Sequence, residues 1–441
     1  MIEHPEVGVS VPSRLVIRGA RFPGDVAVEG GLITTTGSVE ARPGDRELRC
    51  DGDIVTAGLV NTHHHLYQWM TRGRATNCDL FGWLQELYPV WKRLSVEDVA
   101  AAAAVGLAEL ARSGATTVAD HHYVVPRGDD TVFDAIASAA RTVGVRLHLS
   151  RGSMDLGESA GGLPPDDIVE DVETILASTE AVASRLHDAN HVTVVVAPCS
   201  PFSTSKELMV ESAVLARRLG LRLHTHLAET LDEERDCLAR FGCRPLDYVE
   251  GLGWLGPDVW FAHGVHLDAG EVARIGAAGT GVAHCPSSNG RLGSGICPVR
   301  QLVSSGAPVG LGVDGAASNE AGVLQTEMRQ ALYLARLRDG RASALSAAEA
   351  LELATSGGAR CLGRPELGRL EPGAPADLAI WPGDDLGDVP DAIAGLVLGP
   401  DRRVRHLLVG GDLVVRDGEL VGLDLGAARA ELARRARRLW P

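Results

Sequence analysis

Three histidines stand in a row in "VNTHHHLYQ", residues 60–68, directly after a short apolar run. In an extended chain, successive side chains point to opposite faces. His63 and His65 therefore share one side, and His64 takes the other. Two imidazoles converging on a point are half a metal site, and without another half the triplet is only a polar loop. Further residues of ligand type occur downstream: His224, His226 and Glu229 in "HTHLAE", His263 in "FAHG", His284 in "GVAHC", and Asp314 in "GVDGAASN".

A divalent ion that does chemistry needs a few nitrogen or oxygen ligands and one position left open for water. His63, His65, His226 and Asp314 are the natural set. Zinc suits such ligands and lowers the pKa of a bound water toward ~7. Hydrolysis then needs a proton carrier. Glu229, three residues beyond His226, is close enough to serve without being a ligand, while Asp314 can also orient the water. His263 can polarise or hold the atom under attack. His224 faces the same way as His226 but lies deeper in its strand, as a core residue or behind the ligands.

Something must bring these residues together. Short apolar runs alternate with alanine- and leucine-rich helical stretches such as "SVEDVAAAAAVGLAELARS", the pattern of repeated βα units around a parallel sheet. Eight runs are countable: "IVTAGLVNTHHH", "ATTVADHH", "VRLHLSRG", "HVTVVVAPCSP", "LRLHTHLAE", "VWFAHGVH", "GVAHCPSSN" and "PVGLGVDGAASN". Eight units predict a closed (β/α)8 TIM-type barrel, whose chemistry sits where the strands end. Histidine or acid closes the first and the fifth to eighth runs at that end. Turn-rich β segments at both termini predict a small β-sandwich, giving residues 1–56 plus 365–441 as one domain and 57–364 as the catalytic barrel. The basic last helix, "GAARAELARRARRLW", is read as packing on the barrel.

The 441 residues carry 42 basic and 58 acidic side chains, a formal net charge of -16. That balance argues against nucleic acid or an anionic membrane as a partner. No apolar run approaches the roughly 20 residues that span a bilayer. Eight cysteines without CxxC pairs, and no charged-then-apolar leader, point to a cytoplasmic enzyme with reduced thiols.

The motifs "NTHHH", "HTHLAE", "FAHG" and "GVDGAASN" resemble those of the amidohydrolase superfamily, in its branch of aromatic-ring deaminases and s-triazine hydrolases. "TTVADHHYV", "RGSMDLGESAGGLPPDDIVE" and "HCPSSNGRLGSGI" are most similar to the 8-oxoguanine deaminases within that branch. The resemblance implies one metal per chain, since binuclear relatives bridge two ions with a lysine on the fourth strand. "HVTVVVAPCSP" has none, and the chain's only lysines are Lys92 and Lys206. It implies hydrolytic deamination of a purine-like ring, 8-oxoguanine to urate plus ammonia. An s-triazine hydrolase, or a deaminase of guanine, a pterin or an adenosine-type nucleoside, uses the same machinery. A barrel that has lost catalysis and serves as a binding or assembly protein would lack a ligand or the acid, and all are present. The expected partners are a small heterocyclic substrate and further copies of the chain in a homo-oligomer. The sequence departs from the subgroup at Ser287 and Gly290, where a cysteine and a methionine are expected, and both are read as lining the mouth.

Three residues are candidates to touch the ring. Gln68 can present a donor and an acceptor to a ring amide, or be a surface residue. Trp83 can stack on the ring, or be core. Arg151, ending the third run, can pair with an acceptor, or form a structural salt bridge. Asn289 reads as a turn residue. Cys285 beside His284 does not form a nucleophile pair, because neighbours on a strand face opposite ways.

Overall fold

The computed structural model describes residues 14–440. Its centre is a closed barrel of eight parallel strands: Leu59–Asn61, Ala115–His122, Arg146–Ser153, Val192–Pro198, Arg222–Leu227, Val259–His263, Gly281–His284 and Val309–Leu311. The last pairs with the first through Leu311 and Asn61, which closes the ring. Residues 1–13 of the expected first domain lie outside the described residues.

The first apolar run does not enter the barrel whole. Ile54–Ala57 pairs antiparallel with Leu378–Trp381, and only Leu59–Asn61 joins the barrel. The division falls at Gly58, where a Cβ would come within 2.3 Å of the Thr116 side chain. Only glycine lets the chain pass that close while changing sheets.

Two sheets at the side of the barrel form the sandwich. One has four strands from residues 15–49, and the other has five, made of Ile54–Ala57 and strands of the C-terminal segment. Ile17, Val26, Val55, Leu378, Ile380 and Leu408 form a core of their own between them. Burial of alternate apolar residues on facing sheets is what holds such a layer together.

A second small core, with Val60, Val195, Trp260 and Leu362, fills the barrel where its strands begin. The chemistry is therefore left to the other end. The terminal helix Leu425–Leu439 lies on helix Val96–Arg112, where Arg435 and Arg438 pair with the fully buried Asp98 and Arg429 with Glu109. Among the described residues, no helix is long and apolar enough to cross a membrane.

Candidate metal centre and active site

The strand ends bring His63, His65, His226, His263 and Asp314 to one point. Asp314 Oδ1 lies 3.5 Å from His63 Nε2 and 3.3 Å from His65 Nε2. His65 Nε2 and His226 Nε2 are 3.1 Å apart. All these side chains are buried. Two of the groupings in which every ligand atom lies within 4.8 Å of the others are His63–His65–Asp314 and His63–His226–His263.

The hydrogen bonds decide what this cluster can hold. His65 Nδ1 donates to the carbonyl of His121 and His226 Nδ1 to that of Cys199, both at 2.6 Å. A carbonyl only accepts, so each Nδ1 carries the proton and each Nε2 carries a lone pair. Two lone pairs then face one another at 3.1 Å, with a carboxylate oxygen beside them. His63 Nε2 is buried and has no hydrogen-bond partner among the described residues. Such a set is repulsive without a cation and fits one divalent ion with three imidazole ligands and one carboxylate.

The surrounding backbone is shaped to aim these groups. Ala228, His263 and Asp314 have φ of 52°, 73° and 59°, in the left-handed region that L residues seldom occupy. Each costs of order 1–3 kcal/mol and persists only where the surroundings enforce it. Around Asp314 they do so fully. Gly315 N donates to Oδ1 at 2.7 Å and Ser288 Oγ to Oδ2 at 2.6 Å, while His64 Nδ1 holds the Asp314 carbonyl. Glu233 accepts from the backbone N–H groups of both Ala228 and Glu229, at 2.9 and 2.8 Å. That fixes the turn carrying Glu229.

Glu229 Oε2 is 3.5 Å from His263 Nε2. Burial pushes the Glu229 carboxyl up to about 7; His263 opposes the shift and the Asp314 charge adds to it. A carboxyl titrating near neutrality can both take and give a proton. Burial pulls His263 down, but the charges of Glu229 and Asp314 hold it above its ordinary value. Its Nδ1 donates to Asn289 Oδ1 at 2.9 Å.

A cleft lined by His65, His226, Glu229, His263 and Asp314 opens onto these groups. One wall is a face of helix Leu80–Trp91, with Leu80, Trp83, Leu84 and Tyr88 spaced to point the same way. Trp83 is both core and wall: it is buried, lines the cleft, and donates Nε1–H to Ala317 O at 3.1 Å. Gln68 also lines it and packs flat on Gly315, where a Cβ would fall 1.8 Å from its Oε1. That oxygen is buried with no hydrogen-bond partner among the described residues.

Three readings of the sequence need correction. Arg151 does not face the cleft: it is buried and clamped to Glu170 by two 2.9 Å hydrogen bonds, with a third to Gly152 O. Strand pairing sets His122 beside Arg151 and His121 beside Ser150. Since His121 stacks on His226 inside the barrel, Ser150 points inward and Arg151 outward. Ser287 and Gly290 do not line the cleft, and Leu292 does. Asn289 is not a turn residue but the partner of His263. Three contributors were not assigned a part from sequence: His121, Ser288 and Glu233. The adjacent pair in "ATTVADHH" was the one visible signal for His121. His284 is buried outside the lining of the cleft.

Comparison with known proteins follows the same lines. The sequence profile of the amidohydrolase family matches residues 54–414. An 8-oxoguanine deaminase of Pseudomonas aeruginosa is 50% identical over 419 residues, covering 93% of each chain. An isoxanthopterin deaminase from an unknown prokaryotic organism is 38% identical, covering 95% of this chain and 93% of its own. The crystal structure of an atrazine chlorohydrolase from Arthrobacter aurescens TC1, complexed with zinc, superposes with a TM-score of 0.90. It is 30% identical, over 96% of this chain and 100% of that one.

Proposed function

We propose, from the premise that the chain belongs to the amidohydrolase family, that it is a one-zinc hydrolytic deaminase converting 8-oxoguanine to urate and ammonia. The observation that carries the reading is that the bare Nε2 atoms of His65 and His226 face one another at 3.1 Å, with His63 Nε2 and Asp314 Oδ1 beside His65 and the Glu229 carboxyl against His263. The choice of ring is supported by the 50% identity to an 8-oxoguanine deaminase and by a cleft walled with flat aromatic side chains.

His63, His65, His226 and Asp314 would hold the zinc, whose contribution when bound would be to lower the pKa of a water toward ~7. Asp314 is kept by Ser288 and Gly315 in the orientation that directs this water. Glu229 takes a proton as the water oxygen adds to the ring carbon bearing the amino group. It then delivers that proton to the leaving nitrogen, the C–N bond breaks, and ammonia departs. His263, its ring fixed by Asn289 and its Nε2 beside Glu229, steadies the charge on the water oxygen as it adds to the ring carbon. Trp83 supports one ring face, and Gln68 borders the ring from the cleft wall.

The related triazine hydrolase keeps open a second reading, in which the same residues act on a chloro-s-triazine and release halide. The test is kcat/KM for 8-oxoguanine, guanine, isoxanthopterin and a chloro-s-triazine under one condition. A site built around a hydrogen-bonding group can reject an analogue lacking it by ~10⁴–10⁵. The proposal requires 8-oxoguanine to be the best of the four.

The proposal extends to the setting. The division into residues 1–56 plus 365–441 and 57–364 is supported by the separate core between the two sheets. Eight unpaired cysteines suit a reducing, cytoplasmic compartment. Exposed Tyr333 and Leu337 on one face of helix Leu324–Asp339 suit a homo-oligomer, which light scattering would measure.

A further inference from the structure

Of the three imidazole ligands, His63 alone has its second nitrogen held only by a side chain, since His226 Nδ1 has the Cys199 carbonyl at 2.6 Å besides Cys199 Sγ at 3.9 Å. His65 and His226 rest on main-chain carbonyls, which no point substitution removes. His63 Nδ1 instead faces His224 Nε2 at 2.9 Å, and His224 Nδ1 faces Trp260 O, also at 2.9 Å. The chain of bonds has one possible direction. The carbonyl accepts, so His224 carries its proton on Nδ1 and its Nε2 is bare. His63 must then carry its proton on Nδ1, which leaves its Nε2 lone pair aimed at the metal position.

Trp260 braces the whole arrangement. Its ring lies under the His224 ring, with centroids 4.3 Å apart and planes within 11°. Its indole N–H donates to Thr62 O at 3.2 Å, holding the residue before His63. Both imidazoles are buried, so no water replaces a missing partner.

We propose that His224 is a positioning residue that selects the tautomer of His63, and with it the affinity of the site for zinc. An isolated histidine favours the proton on Nε2, the nitrogen that must be bare here. Without an acceptor at His224 Nε2, the His63 ring reverts toward the wrong form. Partners of this kind typically contribute 10–100-fold in metal affinity. The inference rests on the zinc site of the preceding section but not on the substrate.

The test is competition of the holoenzyme with a chelator, for the wild type and for His224→Phe and His224→Gln. Phenylalanine keeps the stack on Trp260 and removes the acceptor, while glutamine restores an acceptor oxygen within reach. Zinc dissociation constants are expected to rise about 10–100-fold in His224→Phe and to stay near the wild-type value in His224→Gln. Melting temperatures of the zinc-free proteins, measured alongside, are expected to be similar. Wild-type affinity in His224→Phe, or equal weakening in both variants, would overturn the proposal. So would a loss of affinity that merely follows the zinc-free melting temperature. If the wild type itself bound no zinc, the metal site and not the tautomer would be at fault.

Discussion

Arg151→Met separates two roles that the sequence alone could not. In the structure the Arg151 side chain is 0% exposed and that of Glu170 12%, joined by two hydrogen bonds of 2.9 Å. Breaking a buried pair by removing one partner costs about 3–5 kcal/mol, because the other charge stays buried and unpaired. Removing both partners is far milder, so Arg151→Met combined with Glu170→Leu is expected to recover most of the loss. If Arg151 instead held the substrate, losing a charged hydrogen bond of about 1.5–3 kcal/mol would raise KM roughly 10–100-fold. Urea unfolding and steady-state kinetics on the single and double variants distinguish these outcomes. The structure predicts a lower unfolding midpoint in the single variant, recovery in the double, and KM within about twofold of wild type. A large rise in KM with unchanged stability would refute the placement of Arg151.

Further outcomes follow from the site. Glu229→Gln keeps shape and zinc but loses the exchangeable proton, so kcat is expected to fall about 10²–10⁴-fold; retention of a tenth of the activity would assign the proton to another residue. Metal analysis is expected to return one zinc per chain, lost in His226→Ala; two tightly held equivalents would contradict the single-ion set. Ser287→Cys and Gly290→Met are expected to leave discrimination among ring substrates unchanged, since neither residue lines the cleft and a Cβ at Gly290 meets nothing within 4 Å. A changed preference would return both to the mouth.

Alternation made much of the site readable. It placed His63 and His65 together and His224 behind His226, and the strand ends pointed to His263 and Asp314. It failed where the answer depends on how neighbouring strands slide past one another. Arg151 and Ser150 are adjacent in sequence, and only the pairing of strands two and three shows which faces inward. It failed again for bonds between distant loops. Asn289 reaches His263 across 26 residues, and the Asp314 carboxylate is held by Ser288, from a helix of six residues that gave no periodic signal. The first apolar run looked continuous because both of its halves are buried, one in the sandwich and the other in the barrel. Gly58 was the only mark of the junction.

The central claim is that a water oxygen replaces the amino group of a purine-like ring at this site. A single turnover of the zinc-loaded protein with 8-oxoguanine in ¹⁸O-water tests it most directly, with the product read by mass and ammonia counted. One ¹⁸O atom in urate and one ammonia per ring consumed is the predicted result. Unlabelled product, or consumption of the ring without ammonia, would contradict the account.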